Sequence, residues 1–244
     1  MKNYPPDFRN KWKDSDVEAH WDKVASIYVE ENDKLKDTHD QRFIESIEAL
    51  VLKADLKLIN ISSRDCEAND YIREYEDTTE VLNVEISGGL ISVAQDIRPY
   101  VKQHKIDTYS KLPFEDETFD RVLSLETLEH VEQPIQFLNE LNRIARPGAR
   151  MVLSCPPATS EIPYRVFTFL FGGHGEGPHK FPSSSTVKSW LEQSNWKLVS
   201  HKGTLLMPVG PKFLKNFSEK IIASTQGTFI SELGIRQFFV CEKG

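Results

Sequence analysis

Two glutamates and a histidine lie within one short stretch of the sequence, at Glu126, Glu129 and His130. Imidazole has an unperturbed pKa near neutrality and is well suited to proton transfer at physiological pH. His130 is therefore a candidate general base. A second candidate is His179, in the segment GGHGEGPHKFP (residues 172–182). Its clustered glycines predict a long loop, and long loops inside compact domains are more often functional than idle.

The elements around Glu126, Glu129 and His130 explain how such side chains would be positioned. An apolar run at 119–125 precedes them, and apolar residues at helical spacing follow at 135–144. An Arg-Pro-Gly stop and a second apolar run at 151–155 complete a strand, helix, strand unit. Strands joined by a helical crossover are parallel neighbours, so the fold class is α/β. Ligands of such sheets bind beyond the carboxyl ends of the strands.

The remaining elements follow from the same periodicities. Further helices are predicted at 16–31, 38–52, 69–76, 89–96, 184–193 and 212–223, and further strands at 56–61, 81–86, 105–108, 196–201 and 235–241. The aromatic segment 164–171 is interpreted either as a wall of an acceptor pocket or as core packing. No internal repeat or linker divides the 244 residues, so a single domain is expected.

Composition narrows the function. Thirty Lys and Arg stand against 37 Asp and Glu, a formal charge of −7, which disfavours general nucleic-acid binding because that depends on neutralising phosphates. Small molecules or proteins are the expected partners. The three cysteines are far apart and predict neither a zinc site nor a disulfide framework, as in a cytoplasmic protein. Neither a signal peptide nor a membrane span is predicted.

A nucleotide-type cofactor would bind this architecture through two structural features. An acidic residue at the end of the second strand accepts hydrogen bonds from the ribose, and Glu85 has this place. A glycine-rich turn after the first strand lets the backbone approach the ligand closely. Here that turn reads NISSRDC (residues 60–66) and contains no glycine. Arg64 and Cys66 are expected to obstruct the approach.

The stretch LPFEDETFDRVLSLETLEHVEQPIQFLNELNRIARPGARMVLSCP (residues 112–156) resembles the second half of the class I S-adenosylmethionine (SAM) dependent methyltransferases. The resemblance implies a Rossmann-like, seven-stranded, mostly parallel sheet with helices on both faces and an antiparallel last strand. It also implies an N-terminal leader and lid helix in 1–37, a SAM-binding core in 38–157 and an acceptor side in 158–244.

Several residue roles are implied by the same resemblance. Tyr28 of the lid would reach the cofactor, and Asp107 and Thr108 would read the adenine. Ser124 would line the methionine side. The cofactor set implied by the family pattern is Tyr28, Asn60, Ser62, Glu85, Ile86, Asp107, Thr108 and Ser124. The family has an acidic residue and three glycines where this sequence has Asn60, Ser62, Arg64 and Cys66.

A metal site is a further expectation from relatives. In the similar ubiquinone-pathway and small-RNA methyltransferases, an E-x-x-E-H spacing such as that of Glu126, Glu129 and His130 contributes to a divalent metal site. His174 or His179 would supply a fourth ligand, and magnesium or manganese would be favoured over zinc. In the alternative interpretation, the glutamates cap the following turn and the histidine packs.

Three functional hypotheses remain at this point. The first is a SAM-dependent methyltransferase that acts on oxygen or nitrogen of a small molecule or saccharide. The second is a methyltransferase-like pseudoenzyme or binding subunit that has lost SAM through its altered 60–66 loop and acts with a partner protein. The third, a nicotinamide oxidoreductase, is disfavoured because the glycine fingerprint is absent.

Overall fold

The computed structural model describes residues 12–33, 36–171, 177–207 and 210–244. Residues 1–11 of the expected leader and His174 of the glycine-rich segment lie outside the described residues. None of the helices in the described ranges is long and apolar enough to cross a membrane.

Eight α-helices and seven strands alternate along this part of the chain. The helices are α1 (Asp14–Asp33), α2 (Lys36–Leu50), α3 (Ala68–Tyr75), α4 (Gly88–Ile97), α5 (Pro134–Ile144), α6 (Glu161–Phe171), α7 (Ser184–Gln193) and α8 (Lys212–Ser224). The strands are β1 (Lys57–Ile61), β2 (Glu80–Glu85), β3 (Gln103–Lys105), β4 (Phe119–Leu125), β5 (Ala145–Cys155), β6 (Trp196–Thr204) and β7 (Arg236–Lys243).

The strands form one seven-stranded sheet in the order β3-β2-β1-β4-β5-β7-β6. Its first five strands are parallel, and β7 is inserted antiparallel between β5 and β6. The predicted Rossmann-like sheet with an antiparallel last strand is confirmed. The strand order reverses between β1 and β4, the place where α/β sheets bind their ligands.

Both faces of the sheet are covered, because its central strands are apolar on both sides. One face packs with α1, α4, α5 and α7 in a large core that includes Ile59, Val122 and Leu153. The other face packs with α2 and α3 and includes Leu58, Leu123 and Val152. Consecutive strand residues alternate between the two cores, as the period of a β-strand requires.

Two predicted strand bounds need correction, and the aromatic segment 164–171, for which no element was predicted, receives one. The aromatic segment forms helix α6, with a proline in its first turn where no helical hydrogen bond is lost. Strand β5 begins at Ala145, which pairs with Phe119 of β4, and the exposed Arg-Pro-Gly stretch forms an irregularity before pairing resumes at Arg150. Strand β3 ends at Lys105, so Asp107 and Thr108 lie in the loop that follows.

Candidate functional site

A cavity of about 160 Å³ lies at the carboxyl ends of β1 and β4, under α1 and α2. Its lining combines residues of the 60–66 loop with side chains of both helices, the turn after β4 and the start of β7. The principal contributors are Trp21, Tyr28, His39, Arg42, Asn60, Ser62, Arg64, Glu126, His130 and Arg236. The cavity therefore sits at the expected rim of the sheet.

The loop after β1 has the backbone conformation that is typical of glycine, although it contains no glycine. Ser62, Arg64 and Cys66 have φ angles of 53°, 53° and 63°, in the left-handed region that non-glycine residues seldom adopt. These are the three positions where the family pattern has glycine. Such conformations persist only where neighbouring contacts impose them. Here Cys66 N–H donates to Ser63 O at 2.7 Å, and Ser63 N–H donates to Val84 O at 3.0 Å.

Glu85 fastens this loop to the end of β2. Its Oε2 accepts the backbone N–H of Arg64 at 2.8 Å, and its Oε1 accepts those of Ile86 and Ser87 at 2.8 and 3.0 Å. Both Glu85 and Ile86 are fully buried. The carboxylate that was predicted to hold a ribose is thus engaged by three backbone donors.

The side chain of Arg64 fills the space between the loop and α1. Its guanidinium lies 3.8 Å from the centre of the Trp21 ring, a cation–π contact. Its Nη2 donates to the carbonyl of Glu126 at 3.4 Å. Burial lowers the pKa of Arg64, but Glu85 and other nearby groups raise it more, and the net shift is upward. The guanidinium therefore stays charged inside the closed site.

Helix α1 covers this region as a lid with two polar anchors. Asp14 accepts from Thr108 Oγ1 at 2.7 Å and from Tyr109 N–H at 2.8 Å. Asp22 accepts from Ser87 Oγ at 2.6 Å and from Gly89 N–H at 2.9 Å, at the first turn of α4. These anchors hold the lid on the ends of β2 and β3.

The predicted cofactor residues divide into two groups. Tyr28, Asn60 and Ser62 line the cavity, although Asn60 Nδ2 also bonds Asn83 Oδ1 at 3.0 Å and Ser62 Oγ bonds Tyr109 Oη at 2.9 Å.

The second group lies away from the cavity. Asp107 has its side chain 99% exposed beside Lys105. Thr108 is engaged by the lid, and Ser124 is fully buried in β4. The two residues that were predicted to read adenine are therefore not part of the cavity.

The turn after β4 does not form the expected metal site. Glu126 Oε1 accepts from Ser154 Oγ at 2.7 Å and from Arg236 Nε at 3.0 Å. Glu129 is 3% exposed. Among the residues that the structure describes, no group of three or more His, Cys, Asp or Glu could hold a metal ion. The expectation of magnesium at Glu126, Glu129 and His130 is unsupported because Glu126 is paired with an arginine.

His130 is a neutral imidazole at the cavity wall. Burial, followed by the positive charge of Arg64, holds its pKa well below the ordinary value. Its Nδ1 lies 2.8 Å from Pro178 O, and since a carbonyl only accepts, Nδ1 carries the hydrogen. Nε2 is therefore the unprotonated nitrogen.

His179 belongs to an aromatic cluster beside the cavity. Its ring centre lies 5.2 Å from that of Tyr164, 4.9 Å from that of Phe181 and 6.3 Å from that of His130. Its Nδ1 donates to Gly177 O at 2.7 Å. The structure thus brings the two predicted histidines near one another, with Tyr164 on the same side.

Several cavity residues were not predicted from the sequence, among them Arg42 of α2 and Arg236 of β7. Both arginines are less than 10% exposed. Arg42 directly precedes Phe43 in the apolar stripe of α2, and a basic residue beside a buried stripe was the available signal. Arg236 is the first residue of an apolar strand, and no feature of the surrounding sequence indicated that it would line a cavity.

The fold and the position of the site define a class I methyltransferase architecture. A SAM-dependent methyltransferase of Thermotoga maritima superposes with a TM-score of 0.62 at 16% identity, covering 92% of this chain and all of its own. A methyltransferase of Haloferax volcanii, solved in complex with a methyltransferase activator, gives a TM-score of 0.66 at 13% identity, with coverages of 91% and 96%.

Residues 65–153 match the family model described as "Methyltransferase domain", so this part of the chain is similar to methyltransferase domains. The mitochondrial ubiquinone biosynthesis O-methyltransferase of Schizosaccharomyces pombe is 33% identical over 100 residues, 38% of this chain and 36% of that protein. The demethylmenaquinone methyltransferase of Clavibacter sepedonicus is 23% identical over 217 residues, 78% of this chain and 86% of that protein.

The match to several curated relatives is partial. An uncharacterized methyltransferase of Mycobacterium leprae is 32% identical over 99 residues, 40% of this chain, and the match spans about a third of its own length (34%).

SAM is the cofactor that this family implies, and the described conformation does not fit it. Small-molecule sites have volumes of roughly 300 Å³ or more, whereas the cavity has about 160 Å³. Arg64 and Trp21 occupy the neighbouring space, and Glu85 offers no surface to a ribose. Cofactor binding would require both α1 and the Arg64 side chain to move.

Proposed function

We propose that the protein is a SAM-dependent methyltransferase that modifies oxygen or nitrogen of a small-molecule or saccharide acceptor. The observation that carries this proposal is the match of residues 65–153 to the methyltransferase domain, inside a sheet of the class I order. A small acceptor is supported by the quinone-pathway names of two relatives. The mildly acidic chain supports the same reading, because it lacks the excess of basic residues that nucleic-acid acceptors require.

The acceptor would bind on the β4–β5–β7 half of the rim. Tyr164, His179 and Phe181 form an aromatic group there, and aromatic rings bind both apolar rings and the faces of sugars. His179 and the Nε2 atom of His130 are the candidate groups for removing a proton from the acceptor. Both lie on the same side of the sheet as the cavity.

In this proposal the described conformation is a closed state of the enzyme. A ligand that binds only the open state has its affinity reduced by the fraction of molecules that are open. The anchors at Asp14 and Asp22, and the Arg64 contact with Trp21, would set that fraction. SAM affinity would then be lower than in relatives whose loop contains glycines.

Calorimetric titration of the ligand-free protein with SAM and with S-adenosylhomocysteine tests the proposal. Saturable binding of both ligands is expected. Their affinities should differ only modestly, because they share the adenosine and amino acid parts and differ by one methyl group. If neither ligand binds the folded protein, and neither binds after Arg64→Gly, the enzyme proposal fails. The chain would then be a binding protein built on a methyltransferase fold.

A further inference from the structure

Three arginines from three separate elements meet at the cavity. Arg42 comes from α2, Arg64 from the loop after β1 and Arg236 from the start of β7. Their exposed fractions are 8%, 8% and 7%. Arginine is almost never this deeply buried unless it is paired. Arg236 has such a partner in Glu126, so Arg42 and Arg64 are the two that require an explanation.

Two of the three guanidinium groups have an unused donor. Arg42 Nε and Arg64 Nη1 are buried, with no hydrogen-bond acceptor in the described part of the chain. The other contacts of Arg42 are a hydrogen bond from Nη2 to His39 Nδ1 at 3.0 Å and a position 4.6 Å over the Phe43 ring. A buried cationic donor without an acceptor carries a desolvation cost. An anion in the cavity would remove that cost.

The carboxylates that line the cavity do not balance these charges. Glu126 pairs with Arg236 at 3.0 Å, and Asp65 pairs with Arg98 at 3.1 Å outside the cavity. Burial, followed by the charges of Arg42 and Arg236, lowers the pKa of His39 to about 2. The side chains that line the cavity therefore carry more positive than negative charge, three arginines against Asp65 and Glu126, while Glu85 behind the loop offsets part of the charge of Arg64.

We propose that this cavity is a subsite for an anionic group, a carboxylate or a phosphate, of a small molecule. Its volume of about 160 Å³ corresponds to roughly five water molecules at about 30 Å³ each. That is enough for such a group but not for a whole substrate. The planar guanidinium forks match carboxylate and phosphate oxygens. The identity of the ligand rests on the proposed function, and its two sources would be the acceptor and, with Arg42 as the donor once Arg64 has moved aside, the methionine carboxylate of SAM.

Thermal unfolding and calorimetry with inorganic phosphate test the subsite, with chloride at equal ionic strength as the reference. The expected result is saturable binding that raises the unfolding temperature of the full chain. Arg42→Gln should weaken phosphate binding by roughly tenfold or more, because it removes charge-assisted donors. Arg73→Gln, a matched change at an exposed position of α3, should leave the affinity unchanged. Arg64→Gln is the second variant if Arg42→Gln does not fold.

The proposal is overturned if phosphate does not bind saturably, or if both Arg42→Gln and Arg64→Gln bind it as tightly as the wild type. Competition then separates the two sources. Displacement of phosphate by S-adenosylhomocysteine, but not by 5′-methylthioadenosine, which lacks the carboxylate, assigns the subsite to the cofactor. Simultaneous binding of phosphate and S-adenosylhomocysteine assigns it to the acceptor. Phosphate binding without any binding of SAM would keep the subsite and reject the proposed function.

Discussion

At the scale of single residues, the loop after β1 separates two properties that glycine normally supplies together. The left-handed backbone is retained at Ser62, Arg64 and Cys66, so the path of the chain is the one that glycines would follow. The open space above the backbone is not retained, because the Arg64 side chain occupies it. Within this loop, the obstruction of the site is therefore an effect of one side chain, that of Arg64.

Arg64→Gly should open the site to the cofactor. The substitution removes the guanidinium from the Trp21 ring and relieves a left-handed conformation that costs about 1 to 3 kcal/mol in a non-glycine residue. We expect calorimetry to show S-adenosylhomocysteine binding at least tenfold tighter than in the wild type. The affinity increases because a larger fraction of the molecules is in the open conformation that binds the ligand.

Cys66→Gly is the matched control for that experiment. Cys66 has a φ of 63° and is fully buried, but it does not line the cavity. The control therefore relieves the same kind of backbone strain without emptying the site. An equal gain in both variants, or no gain in either, would contradict the assignment of Arg64 as the obstructing residue.

The sequence indicated this obstruction but not the response of its neighbours. The absence of glycine is visible in the sequence alone, because the backbone conformation required at each glycine position of the family pattern is known. The occupation of Glu85 by three backbone donors is not visible, because it depends on where the loop lies in space. The same limit applies to Arg236, which reaches Glu126 only because β7 is inserted beside β5.

At the scale of elements, α1 is the helix in which the sequence resemblance implied a lid, and in the proposed function its attachment decides whether the site opens. Apolar periodicity placed the helix at 16–31, close to the observed Asp14–Asp33. Periodicity also placed most strands within two residues of their observed ends, because the central strands are continuous apolar runs. It did not reveal the docking of α1 on α4, since contacts of Asp22 with Ser87 and Gly89 join residues that are distant in sequence.

Asp22→Ala should loosen α1 while the sheet stays folded. The change removes acceptors for Ser87 Oγ and Gly89 N–H at a helix N-terminus, a contribution of about 1 kcal/mol by analogy with capping residues. Amide hydrogen exchange in α1 should accelerate about fivefold, the ratio that corresponds to this energy. Exchange in β1 and β4 should remain unchanged, because local openings are independent of global unfolding.

Glu18→Gln provides the comparison for the lid experiment. Glu18 also lies on α1 and contacts Lys105 at 2.7 Å, but this partly exposed ion pair contributes little. Amide hydrogen exchange in α1 of the Glu18→Gln variant should match that of the wild type. Uniform acceleration throughout the protein in Asp22→Ala would show a loss of overall stability and would contradict a lid that opens as a separate unit.

At the scale of the whole molecule, three histidines are held neutral at different places in the fold. Burial lowers the pKa of His39 in α2, of His130 at the cavity and of His201 in β6. A histidine whose folded pKa lies below its unfolded pKa of about 6.5 stabilises the fold above that pH. The contribution is lost progressively as the pH falls below 6.5 toward the folded value, because the unfolded chain takes up the proton.

The free energy of unfolding should therefore fall between pH 7.5 and pH 5.5, and His130→Asn should reduce that loss. A histidine whose folded pKa lies below this window, as that of His39 does, contributes about 1.4 kcal/mol over it, because only the unfolded chain takes up the proton. Urea unfolding of the wild type and the variant at both pH values gives the difference. His104→Asn, an exposed position in β3, is the control. A pH dependence identical in His130→Asn and the wild type would show that the pKa of His130 is the same in the folded and the unfolded protein, and would contradict an imidazole that burial holds neutral.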